Sequence, residues 1–192
     1  MYIMNNKPNI LLTSTGLSCE KAFNYVKEFL SDTNHTVSII VTASKSKKQS
    51  KHVLLAVQQF QQLGITNIHL VDLEYDEVIS DDTTILYVAG GNTFHLMYFA
   101  QKSAFQKTIT DLLDKGGLYI GVSAGSIIIG KTIAGASILG DENTIALKDL
   151  NGFNYVNNTI FPHADETIQQ QVKELGIYEN VLYIENDEVY FY

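Results

Sequence analysis

The sequence predicts an α/β protein: a mostly parallel central sheet with helices on both faces. Three observations carry that prediction. Short apolar runs alternate with longer amphipathic stretches over the first two thirds of the chain, and such alternation implies right-handed crossovers between parallel strands. The 192 residues, 45% hydrophobic and 18% charged, suit one α/β domain over residues 1–192 with a sizeable core. Two glycine-bearing turns fall at the ends of predicted strands, where open parallel sheets bind ligands.

"NILLTST" (9–15) reads as a buried strand. In 18–30, Ala22, Tyr25, Val26, Phe29 and Leu30 share one helical face. The β-branched run 36–44 is the second strand. Residues 52–64 form a helix closed by Gly64. Further strands are read at 67–73, 84–91 and 117–123, with helices at 93–100 and 104–117 between the last two. After Ile129 the pattern loosens into short strand-like pieces, followed by a helix at 165–176. The last stretch, 181–192, reads as a small β-hairpin turning near Asn186-Asp187. The prolines are Pro8 and Pro162, and neither a Ser/Gly-rich linker nor a repeat interrupts the chain.

Charge narrows the partners. The net charge of −8 argues against nucleic acid or an anionic membrane. All 13 basic residues are lysine, so no bidentate arginine clamp exists. Cys19 is the single cysteine. With no H-E-x-x-H and no Cys/His cluster, the reading includes no metal and no cofactor. The N-terminus lacks a leader pattern. No apolar run approaches the roughly 20 residues of a membrane span. The expectation is a cytoplasmic protein. The basic run "SKSKKQSKH" (44–52) reads as a solvated loop and helix start, or alternatively as a rim that steers anionic substrates.

The first glycine turn is "VAGGNTF" (88–94). Gly90 and Gly91 let the backbone approach a ligand closely, and Asn92 or Thr93 can cap the following helix. Free N–H groups there suit an oxyanion. The second is "YIGVSAGS" (119–126), where a strand meets a sharp turn and then an apolar helix. That is the setting of a nucleophile elbow, with Ser123 exposed and the Ala124 N–H aimed at the oxyanion. The hydroxyl needs a base. His35 sits in a polar loop, His52 opens a helix, His69 lies half-buried in a strand and His95 lies on the helix after the glycine turn. His163, in "TIFPHADE", follows a strand and is stiffened by Pro162. It is placed to take a proton from Ser123.

"AGGNTFHLM", "LYIGVSAGS" and "FPHAD", in this order, resemble the peptidase E (α-aspartyl dipeptidase) family of serine peptidases. The resemblance runs from the first strand to the C-terminal hairpin. It implies a flavodoxin-like three-layer fold related to class I glutamine amidotransferases. It also implies a nucleophile at Ser123, a general base at His163 and an oxyanion hole at the Gly91 and Ala124 N–H groups. The substrate would be a small peptide, with Asp-X dipeptides among the candidates, cleaved by a monomer or homodimer. The alternative is a weak or inactive homologue that binds a small ligand or partner in the same pocket.

The third triad member is not carried over. The offset after the nucleophile falls on Ile138, with Asp141 the first acid beyond it. Near the C-terminus the alignment falls on Asn186, flanked by Glu185 and Asp187. A carboxylate both fixes the histidine tautomer and stabilises the imidazolium. That favours Glu185 or Asp187 over Asn186, and of the two Glu185, the last strand residue before the turn, is the choice, with Asp141, Asp165 or a Ser-His dyad behind them. After the histidine, "DETIQQQVKEL" offers Ile168, Gln171 and only Lys173, so Asp-X specificity is not carried over either.

Overall fold

Runs of four to six residues, buried on both sides, build the main sheet. The computed structural model describes residues 9–30 and 35–192; the reading of residues 1–8 as leader-free lies outside the described residues. The strands are β1 (Ile10–Thr13), β2 (Thr36–Ile40), β3 (Asn67–Val71), β4 (Thr83–Val88) and β5 (Leu118–Val122), all parallel, and β8 (Val189–Phe191), antiparallel to β1. Their order is β3-β2-β4-β5-β1-β8. A second sheet pairs β6 (Thr159–Pro162) with β7 (Val181–Ile184) in parallel.

Helices cover both faces. Side chains alternate along a strand, so Ile10 and Leu12 join one core while Leu11 joins the other. The Leu11 side is closed by α1 (Glu20–Phe29) and α2 (Lys51–Gln62), through Ala22, Val26, Val53 and Phe60. The Ile10 side is closed by α3 (Thr93–Lys102), α4 (Phe105–Asp114) and α5 (Ala124–Ile128). The last helix, α6 (Glu166–Leu175), packs Val172 on Phe161 of β6.

Three expectations change. The C-terminal stretch is not a hairpin, because its halves join different sheets, β7 beside β6 and β8 beside β1. Each half satisfies the backbone of a strand that would otherwise lack a partner on that side. The four residues 185–188 between them therefore cross the gap at the carboxyl end of β1. Residues 130–158 form no strands; they hold a 3-10 helix at Ala134–Leu139 and one bridge, Thr132 to Asn151. His69 is exposed on the edge strand β3 rather than half-buried.

Candidate active site

β5 ends directly in Ser123, whose φ of 50° and ψ of −108° place a non-glycine residue in a strained conformation. The turn is pinned from several sides. Ser123 N–H donates to the Thr13 carbonyl (2.9 Å). The Ser126 hydroxyl donates to the same carbonyl (2.8 Å) and accepts the Thr13 N–H (3.1 Å). The Tyr119 hydroxyl donates to the Gly125 carbonyl (2.7 Å), and burial raises its phenol well above the usual range. A Cβ on Gly125 would stand 2.2 Å from the Val88 carbonyl oxygen, so only glycine lets α5 start this close to β4.

The first glycine turn lies beside the second. Gly91, at φ 142°, fits against the Ala43 carbonyl, which a Cβ would approach to 2.1 Å. Among the described residues, the N–H groups of Gly91 and Ala124 donate to no acceptor. Asn92, one of the two residues read as a cap, caps α3 and builds the turn. Its Oδ1 accepts the His95 N–H (2.8 Å), its Nδ2 donates to the Glu142 carbonyl (2.9 Å), and its own N–H donates to the Ala43 carbonyl (2.9 Å). Asp141 accepts the Thr93 N–H (2.8 Å) and caps α3 beside it. Asp165 caps α6 through the Ile168 N–H (2.9 Å). Both fallback acids are thus committed to helix N-termini.

His163 follows β6 with φ 55°. Its Nδ1 lies 2.6 Å from Asn186 Oδ1. An amide oxygen only accepts, so Nδ1 carries a proton, and in the neutral ring Nε2 is left with the lone pair. Asn186, not Glu185, therefore meets the histidine. The Glu185 N–H is held by the Glu188 carboxylate (3.2 Å) and the Glu188 N–H by the Glu185 carbonyl (3.2 Å). This turn carries Asn186 inward to the imidazole.

The end of β1 ties these loops together, a role that reading 9–15 only as a buried strand missed. The Ser14 hydroxyl accepts the His163 N–H (2.9 Å) and donates to the Ile184 carbonyl (2.9 Å). The Thr15 hydroxyl donates to the Asn186 carbonyl (2.8 Å). Thr13 Oγ1 donates to the Gly121 carbonyl (3.0 Å). The visible signal was three consecutive hydroxyl residues, "TST", at a strand's carboxyl end.

Ser123 and His163 line one cavity of about 560 Å³, together with Gly90 and Gly91 and, on the α2 side, Lys45 and His52. Among the described residues the hydroxyl and the imidazole make no direct hydrogen bond; such contacts commonly tighten only around substrate. Tyr87, also lining the cavity, is held protonated by burial. His35 bonds Thr84 (3.0 Å). His95 meets Glu74 (3.1 Å), whose carboxyl is held below the usual range chiefly by its hydrogen bond from Lys47. Among the described residues no group of three or more His, Cys, Asp or Glu is placed to hold a metal ion, and no helix is long and apolar enough to cross a membrane.

Known proteins share this arrangement of elements. Residues 10–189 match the model of peptidase family S51. The chain is 28% identical to an uncharacterized peptidase of Listeria monocytogenes, over 95% of this chain and 93% of the relative. It is 25% identical to peptidase E of a Nostoc species, over 94% of this chain and 78% of the relative. A crystal structure of a protein assigned to peptidase E from Listeria monocytogenes EGD-e superposes with a TM-score of 0.79 at 26% identity, covering 97% of this chain and 94% of that one. The family match spans the elbow, the glycine turn and His163 alike, and the chain belongs to peptidase family S51, a family of serine peptidases.

Proposed function

We propose that the protein hydrolyses the amide bond of small peptides, dipeptides included, through an acyl-enzyme on Ser123. The observation that carries the reading is the strained serine at the end of β5, which shares one cavity with a histidine whose Nδ1 is held by Asn186. Nε2 of His163 takes the Ser123 proton as Oγ attacks the scissile carbonyl. The developing oxyanion lies between the Gly91 and Ala124 N–H groups. Collapse of the intermediate breaks the C–N bond, and His163 gives its proton to the leaving amine. Water then enters, loses a proton to His163 and attacks the ester; the acid product leaves and Ser123 regains its proton. The cavity falls within the roughly 300–1,000 Å³ range of small-molecule sites, which supports a dipeptide-sized substrate rather than a folded protein.

One observation favours a second reading, a weak or inactive homologue that keeps the pocket for a ligand: an amide, Asn186, stands where a carboxylate would stabilise the imidazolium. A dipeptide panel that includes Asp-X members separates the two. Turnover by the native protein, lost in Ser123→Ala and His163→Ala, supports hydrolysis. No turnover, with thermal stabilisation by one of the dipeptides, supports the ligand-binding reading.

A further inference from the structure

The loop between β2 and α2 carries a lysine that is not part of the cavity wall and that the hydrolytic machinery does not touch. Lys47 has φ 48°, a left-handed conformation that a lysine keeps only where its surroundings hold it there. Its ammonium group joins three segments of chain. Nζ donates to the Thr42 carbonyl after β2 (3.2 Å) and to Glu74 after β3 (2.5 Å). It lies 3.2 Å from Asp72 Oδ2 and 3.3 Å from Nε2 of His95 on α3. The same Nε2 is 3.1 Å from Glu74. Asp72 is 1% exposed, and among the described residues its Oδ2 accepts no hydrogen bond, so the ammonium group is what balances that buried charge.

This knot grips the first glycine turn from both ends. On one side, the Ala43 carbonyl, next to Thr42, accepts the Asn92 N–H (2.9 Å) and is the surface on which Gly91 is seated. On the other, the His95 N–H donates to Asn92 Oδ1 (2.8 Å). The Gly91 peptide is thus clasped between residues 43 and 95, and Lys47 bonds to the neighbour of the first and approaches the ring of the second. A donor aimed at a developing oxyanion loses much of its worth when displaced by a fraction of an ångström, so what holds this turn matters to the chemistry.

We propose that Lys47 is a positioning residue for the oxyanion hole: by joining Thr42, Asp72, Glu74 and His95 to one charge, it fixes the Ala43 carbonyl against the glycine turn and so sets the direction of the Gly91 N–H. The effect on catalysis rests on the hydrolytic reading; the effect on the turn does not. Lys48, the next residue, has no such role, because its ion pair with Glu77 (2.6 Å) reaches neither the glycine turn nor α3.

The test combines kinetics with amide NMR. Lys47→Met keeps the stem and removes the charge, and Lys47→Arg returns a charge. Glu74→Gln, at a side chain 30% exposed, loosens the knot while leaving Asp72 its ammonium partner. Lys48→Met is the control. With one dipeptide that the native protein turns over, Lys47→Met should lower kcat at least about tenfold while KM stays within about twofold. Lys47→Arg should recover most of that loss, Glu74→Gln should fall between, and Lys48→Met should match the native protein. In isotope-labelled protein, the Gly91 and Asn92 amide resonances should shift in Lys47→Met and Glu74→Gln, while those of Phe161 and Val172 stay in place. If Lys47→Met does not fold, Glu74→Gln decides alone. An unchanged kcat, a loss confined to KM, or unmoved Gly91 and Asn92 resonances overturns the proposal. If the native protein turns over no dipeptide, hydrolysis is refuted instead, and the resonances still decide whether Lys47 sets the turn.

Discussion

Asn186 is where the proposed mechanism is most open to quantitative challenge. Its Oδ1 accepts from His163 Nδ1 at 2.6 Å, and both side chains are exposed. Asn186→Asp puts a charged oxygen in the same place. A neutral hydrogen bond is worth about 0.5–1.5 kcal/mol net and one to a charged group about 1.5–3 kcal/mol. Solvent screening at this exposed pair selects the small end of the difference, about 1 kcal/mol. That gain applies to the imidazolium, which forms as Ser123 attacks, so kcat should rise about fivefold. The same carboxylate favours the protonated ring in the free enzyme. The acidic limb of the kcat/KM profile should therefore move to higher pH, because only the neutral imidazole accepts the serine proton. Asn186→Ala removes the acceptor and frees the ring to turn, and kcat should fall at least about tenfold. Steady-state hydrolysis of one dipeptide between about pH 5 and 8 reads both effects. A fall in kcat for Asn186→Asp on the alkaline plateau, or an Asn186→Ala profile superimposable on the native one, would refute the assignment.

Three further predictions follow from the same contacts. Ser14, 2% exposed, is the acceptor for the His163 N–H; Ser14→Ala should cost about 1–3 kcal/mol in urea unfolding and lower kcat, and an unchanged kcat would show that the clamp does not position the histidine. Gly125→Ala places a Cβ 2.2 Å from the Val88 carbonyl, so the urea midpoint should fall by the equivalent of about 1–3 kcal/mol, with activity falling as the elbow shifts; a native-like midpoint would contradict the packing argument. Hydrogen bonds from Lys47 and Lys48 lower the carboxyls of Glu74 and Glu77. Their contribution is complete above the unfolded value, about 4.3, and is lost as pH falls through the lower folded value. Lys47→Met should lower stability at pH 7 and flatten its acid dependence below about pH 4.3; parallel acid profiles would contradict this.

The parts of the site that one short stretch of chain defines were legible. "GVSAGS" contains the strand end, the elbow serine and the glycine that its helix needs. "TIFPHADE" likewise contains the strand, the histidine after it and the cap of the next helix. What depends on which remote strands meet was not legible. Alternation in 181–192 identifies two strands but not that one pairs with β6 and the other with β1. The hairpin expectation failed for that reason, and the choice of Glu185 failed with it. The charge argument was sound chemistry, but the 185–188 turn, closed through the Glu185 backbone and Glu188, brings the Asn186 side chain to the imidazole. The hydroxyl run "TST" was visible at the end of β1, but that Ser14 within it clamps the histidine shows only when the His163 and Ile184 backbones arrive beside it. Lys45 and Lys47 read alike in the basic run; the acids of 72–74 separate them.

The nucleophilic role of Ser123 is tested most directly by mass spectrometry of the native protein after incubation with a fluorophosphonate, followed by peptide mapping. The account predicts one adduct, on the peptide containing Ser123, absent in Ser123→Ala and slowed strongly in His163→Ala. An unlabelled native protein, or an adduct that persists in Ser123→Ala, would contradict it.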